Sequence, residues 1–123
     1  MRHAHQVIGC RSGRLGSCGF HRLVEILGLE GPASDRAGNL YMTALGLNGV
    51  MKRDAKTGAV TTLVTSDEIS WPDTLAWGPR GDLYLVSNHL HLWVDGDMDF
   101  DKPKVPNFRI YRMKLGATPY HAK

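Results

Sequence analysis

Asp73, Thr74 and Asn88 are the residues whose types and spacing suit small-molecule chemistry. A carboxylate receives a cation or an amine. A carboxamide supplies both a donor and an acceptor. The three flank the stretch 74–88, which reads as a β-hairpin. Residues 74–77 form one strand, Pro79-Arg80-Gly81-Asp82 a turn, and residues 83–87 a second strand rich in β-formers. A turn centred between Arg80 and Gly81 sets Leu75 opposite Val86 and Asp73 opposite Asn88. Asp73, Thr74 and Asn88 then share the open end of the hairpin. Capping is the competing role for such Asp and Asn side chains.

Other reactive side chains are weaker candidates. His89 and His91 fall on one face of an expected strand over 89–94, because strand side chains repeat every two residues. Two histidines can share a metal, but no third ligand is indicated, so a surface or packing role is preferred. The run Asp95-Gly96-Asp97-Met98-Asp99-Phe100-Asp101 resembles the start of a calcium loop. The EF-hand requires Gly at its sixth position and Glu at its twelfth, where this chain has Phe100 and Pro106. Ser66, Ser70 and Ser87 lie in no nucleophile-elbow setting. Gly46-Leu47-Asn48-Gly49 reads as a hairpin turn, not a phosphate loop.

The elements that position these residues come from a repeat. Asp35-Arg36-Ala37-Gly38-Asn39-Leu40-Tyr41 aligns with Gly78-Pro79-Arg80-Gly81-Asp82-Leu83-Tyr84 at an offset of 43 residues. Short strands recurring at about 40–45 residues indicate propeller blades. Residues 49–53 and 59–64 read as strands joined by a turn at 54–58. Residues 108–113 read as another strand, after a polar loop over 95–107. The same offset sets Glu30 at the position of Asp73 and Gly31-Pro32-Ala33-Ser34 at that of residues 74–77, so turn residues stand where a strand is expected.

Trp71-Pro72-Asp73-Thr74, then residues 83–88, Met98-Asp99-Phe100 and Asn107-Phe108-Arg109-Ile110, resemble the C-terminal part of the major royal jelly protein and Yellow family. The resemblance covers roughly residues 38–115. It implies an all-β fold: an incomplete β-propeller, about two antiparallel blades of a six-bladed parent. It also implies a pocket for an amine-like or catechol-like molecule at the channel mouth, with Asp73, Thr74 and Asn88 as ligand-binding residues. Pro-Asp followed by Gly-x-Leu-Tyr is also similar to the gluconolactonase and senescence-marker propellers. That likeness implies the alternative of a metal-dependent hydrolase, with Asp73 as one ligand of a divalent cation such as calcium. A third alternative is a truncated product without function. Six blades need roughly 270 residues, and the chain has 123.

Composition bounds the rest. Hydrophobic content of 42% and charged content of 22% describe a globular chain. A formal charge of +3 does not imply nucleic acid, and the early arginines Arg2, Arg11, Arg14 and Arg22 lack interleaved aromatics apart from Phe20. Residues 1–20 are glycine-rich and aperiodic, an expected unstructured tail; 21–115 form the propeller portion and 116–123 a C-terminal tail. Residues 21–28 suit a strand or a turn or two of helix. Cys10 and Cys18 allow one bridge but no disulfide framework. The family is usually secreted; no signal-peptide or membrane-spanning run is read here, so a cytosolic chain without membrane partners is expected. Bare blade faces carrying Leu75, Trp77, Leu83 and Leu85 are expected to drive self-association.

Overall fold

The structure, a computed structural model, describes residues 28–103 and 106–121. The expectations for the tail over 1–20, for residues 21–27 and for Cys10 and Cys18 lie outside these. The described chain is all-β apart from short helical turns, and every strand pair is antiparallel. A four-stranded sheet runs β1 (Leu29–Ser34), β2 (Leu40–Ala44), β3 (Gly49–Arg53) and β4 (Val60–Thr65), in that spatial order. A three-stranded sheet runs β5 (Pro72–Trp77), β6 (Asp82–Ser87) and β7 (Arg109–Lys114).

The repeat in the sequence is a repeat in space. β1 and β5 begin and end 43 residues apart. β3 pairs with β2 through Leu40–Arg53, and β7 pairs with β6 through Leu83–Met113, so β7 takes the place of β3 after a longer excursion. Gly38 and Gly81 occupy the same turn position with φ of +84° and +74°, a region that glycine enters without steric cost. Asp35 and Gly78 are also equivalent and divide the work differently. Tyr41 donates its hydroxyl to Asp35 at 3.0 Å. The equivalent Tyr84 lays its ring over Gly78, where a Cβ would collide with it.

The two sheets pack face to face. Leu75, Leu83 and Leu85 from the second sheet meet Tyr41 and Val50 from the first, and Ile69 from the connection joins them. Fully burying each leucine contributes about 1.5–3 kcal/mol. Trp77 closes the core at one end, edge-on to Tyr41 at 5.2 Å between ring centroids. The faces expected to be bare are therefore the inner interface: Leu75, Leu83 and Leu85 are buried and Trp77 half-buried. Each sheet covers the other, a possibility that the count of missing blades concealed. A second cluster, Met42, Ala44 and Met51, is buried on the opposite face of the first sheet.

Two further expectations are corrected. Residues 31–34 are strand, not turn: β1 pairs with β2 from Leu29–Ala44 to Ser34–Leu40. Gly31 and Pro32 form an irregularity within it, with Gly31 at φ +51°. A Cβ there would overlap the Asp73 carbonyl oxygen, so the glycine lets β1 and β5 approach closely. Residues 89–94 are not a strand. His89 turns left-handed at φ +50°, which ends the extended run, and α1 (Leu90–Val94) follows. The segment after β7, read as a tail, returns to the first sheet: Thr118 accepts from the Arg36 amide at 2.8 Å, and Pro119 bridges Asp35.

Candidate functional site

The open end of the β5–β6 hairpin is built around Asn88. Its Nδ2 donates to Asp73 Oδ2 at 3.3 Å, its Oδ1 accepts from the Leu90 amide at 3.0 Å, and its own amide donates to the Trp71 carbonyl at 3.4 Å. One carboxamide thus ties the start of β5 to the start of α1.

The hairpin register differs from the sequence reading by one residue. Leu75 faces Leu85, and Trp77 faces Leu83. The turn closes tightly, with the Gly81 amide donating to the Gly78 carbonyl and the Gly78 amide to Asp82. The pairing then slips between Leu75 and Pro72, so that Pro72 faces Ser87. Asp73 lies within that irregularity and Asn88 just beyond β6. They are not ladder partners, yet their side chains meet. Thr74 does not join them: it is exposed and, among the described residues, makes no hydrogen bond to either.

Aromatic rings complete the end. Trp71 stacks on His91 with centroids 5.5 Å apart and planes 21° from parallel. His89 lies 6.1 Å from His91. The two histidines come together through a left-handed residue and a helical turn rather than along a strand. His89 Nδ1 is 3.1 Å from the Asn107 carbonyl oxygen. A carbonyl only accepts, so Nδ1 carries the hydrogen. His91 Nδ1 is buried without a partner among the described residues. Trp71 itself has φ +51° although Pro72 follows, a setting that normally favours extended backbone. Such strain costs of order 1–3 kcal/mol and is concentrated at functional sites. The sequence reading quotes Trp71 within the Trp-Pro-Asp-Thr motif but does not count it among the site residues.

Two carboxylates show which one is available. Asp35, at 4% exposure, accepts from the Asn39 amide at 2.9 Å, Asn39 Nδ2 at 2.8 Å and the Tyr41 hydroxyl. Burial opposes its charge, but hydrogen bonds from Asn39, Tyr41 and the Ala37 amide outweigh that and hold its carboxyl below the usual range. Asp73 has one donor among the described residues, the long contact from Asn88, and is half-buried. It keeps acceptor capacity that Asp35 has spent.

Ser87 is fully buried, with its hydroxyl committed to the Ser70 carbonyl. The fit to calcium is poor. Asn88 turns a donor toward Asp73 and its oxygen toward Leu90, whereas calcium takes six to eight oxygens. No group of three or more His, Cys, Asp or Glu side chains among the described residues is placed to hold a metal. In the loop 95–101, Asp99 accepts from the Asp101 and Lys102 amides, both at 2.9 Å. No described helix is long and apolar enough to cross a membrane.

No protein-family model and no curated protein matches the chain.

Proposed function

We propose that the chain contributes two consecutive blades of a propeller of the major royal jelly and Yellow type, and that its β5–β6 end receives a small aromatic amine. The Asp73 carboxylate meets the ammonium group. Asn88 holds that carboxylate in place, and the Trp71–His91 stack offers an aromatic surface. Thr74 borders the end on the solvent side. The observation that carries this reading is the contrast between Asp73, with one long donor contact, and Asp35, which takes the Asn39 amide, Asn39 Nδ2 and the Tyr41 hydroxyl within 3.0 Å as well as the Ala37 amide. A partly satisfied carboxylate beside stacked rings suits a cation that also carries an aromatic ring. The metal-dependent hydrolase reading is disfavoured by the orientation of Asn88.

Calorimetric titration of the full chain with dopamine and with N-acetyldopamine tests the proposal. The two share a catechol ring and differ in the charge on nitrogen. Saturable uptake of dopamine, with the acetylated compound at least about tenfold weaker, supports it. Equal binding, or none, refutes it. A calcium titration in parallel that gave saturable binding abolished by Asp73→Asn would favour the hydrolase reading instead.

A further inference from the structure

The repeat sets a second carboxylate beside Asp73. Glu30 and Asp73 are the same position in consecutive repeats, 43 residues apart. β1 and β5 run side by side where the two sheets meet, so the equivalent residues become neighbours in space. Two features hold them there. The hydroxyl of Thr43, fully buried on β2, addresses the Glu30 carbonyl oxygen at 2.9 Å and the Asp73 carbonyl oxygen at 3.2 Å. One hydrogen is thus shared between strands of different sheets, in a three-centre bond. Gly31, next to Glu30, lets the Asp73 backbone come closer than any side chain would allow.

Glu30 and Thr43 are direct ladder partners, and paired residues project to the same side of a sheet. Glu30 therefore leaves β1 on the side that Thr43 turns toward β5. Its side chain is exposed, and Asp73 is half-buried. Among the described residues, neither carboxylate has a cationic partner: the ion pairs there are Arg109–Glu68 and Arg112–Asp82. Like charges on adjacent strands repel. A ligand with one positive charge answers one of the two carboxylates; a ligand with two answers both. We propose that Glu30 is a second anionic group of the β5–β6 end and selects diamines there. One ammonium group meets Asp73, and the other, carried on the far side of a short rigid spacer, meets Glu30. This rests on the amine reading of that end and names the class of amine.

Calorimetric titration of the full chain with benzylamine and with p-xylylenediamine tests this, at low ionic strength where surface charge pairs are least screened. The two amines share a ring and one aminomethyl group, and the diamine carries a second on the opposite side. Two equivalent ammonium groups give about twofold by statistics alone. The diamine is expected to bind at least about fivefold tighter, as a surface ion pair adds to that. Glu30→Gln brings the ratio down to about two. Asp67→Asn, which removes an exposed carboxylate from the connection between the sheets, leaves the ratio at its wild-type value. Far-UV circular dichroism confirms that each variant is folded, and Glu30→Ala carries the comparison if Glu30→Gln does not fold. A wild-type ratio near two overturns the inference. So does a ratio that survives Glu30→Gln, or one that Asp67→Asn lowers as far. Each of these leaves amine binding, and so the amine reading, standing. Absence of uptake of either amine overturns both.

Discussion

Trp77 donates its indole Nε1 hydrogen to the carbonyl oxygen of Ser34 at 2.8 Å, and these two residues are the same position in consecutive repeats. The bond ties the end of β5 to the end of β1. It also sets the ring edge-on to Tyr41, so one side chain registers both sheets. Trp77→Phe removes the donor and leaves the Ser34 carbonyl with the longer contact from the Tyr120 amide at 3.4 Å. The expected loss is about 0.5–1.5 kcal/mol of unfolding free energy, read from the midpoint of a urea melt at constant slope. A midpoint within error of wild type would show that the indole bond does not hold the sheets together.

Gly31 and Gly116 separate crowding from backbone strain. Both have positive φ, +51° and +62°. A Cβ on Gly31 runs into the Asp73 backbone, whereas one on Gly116 meets nothing within 4 Å. Gly116→Ala is expected to cost about 1 kcal/mol from the left-handed conformation alone. Gly31→Ala adds a backbone collision between β1 and β5 and should cost at least roughly 2–3 kcal/mol. Thermal melts of the two variants decide the point; equal costs would mean that the close approach of β1 to β5 is not tight.

The strand pattern and the repeat were legible because Gly-Asn-Leu-Tyr and Gly-Asp-Leu-Tyr announce the same turn and strand twice. β1 was not, because Gly31-Pro32 carries the composition of a turn and acts as an irregularity inside a strand. The hairpin register was missed by one residue because composition does not show how tightly residues 78–81 close, nor that the ladder slips between Pro72 and Leu75. Asp73 and Asn88 still meet, since a side-chain contact at a strand end tolerates a slip that reverses ladder partners. The helix after His89 was hidden by a left-handed histidine that no local pattern announces. Trp71 and the His89–His91 approach depend on that turn.

The Asp35–Tyr41 pair makes stability fall at high pH. Burial, followed by the hydrogen bond to Asp35 and its charge, pushes the Tyr41 hydroxyl up to about 12 from an ordinary 10.0. A group raised on folding stabilises fully below its unfolded value and loses that contribution as pH rises through the folded one. Melting temperature should therefore decline between about pH 10 and 12, and Tyr41→Phe should flatten the decline. On the acid side the sign reverses. The Asp35 carboxyl is held below its usual range, so its contribution is present above that range and fades as pH falls through it. Melts of wild type and Tyr41→Phe from pH 8 to 12 check the alkaline limb; parallel curves would contradict it.

The division of labour between the two carboxylates is the centre of the account, and one measurement reaches it most directly: calorimetric titration of dopamine into Asp73→Asn and Asp35→Asn beside the wild-type chain. Asp35→Asn removes the charge that the donors of Asn39, Tyr41 and Ala37 address, so it should lower stability by roughly 2–3 kcal/mol yet retain dopamine binding at temperatures where it is folded. Asp73→Asn should melt like wild type and lose dopamine binding by at least about tenfold. Wild-type affinity in Asp73→Asn, with binding lost only in folded Asp35→Asn, would contradict the account and move the site to the other end of the sheets.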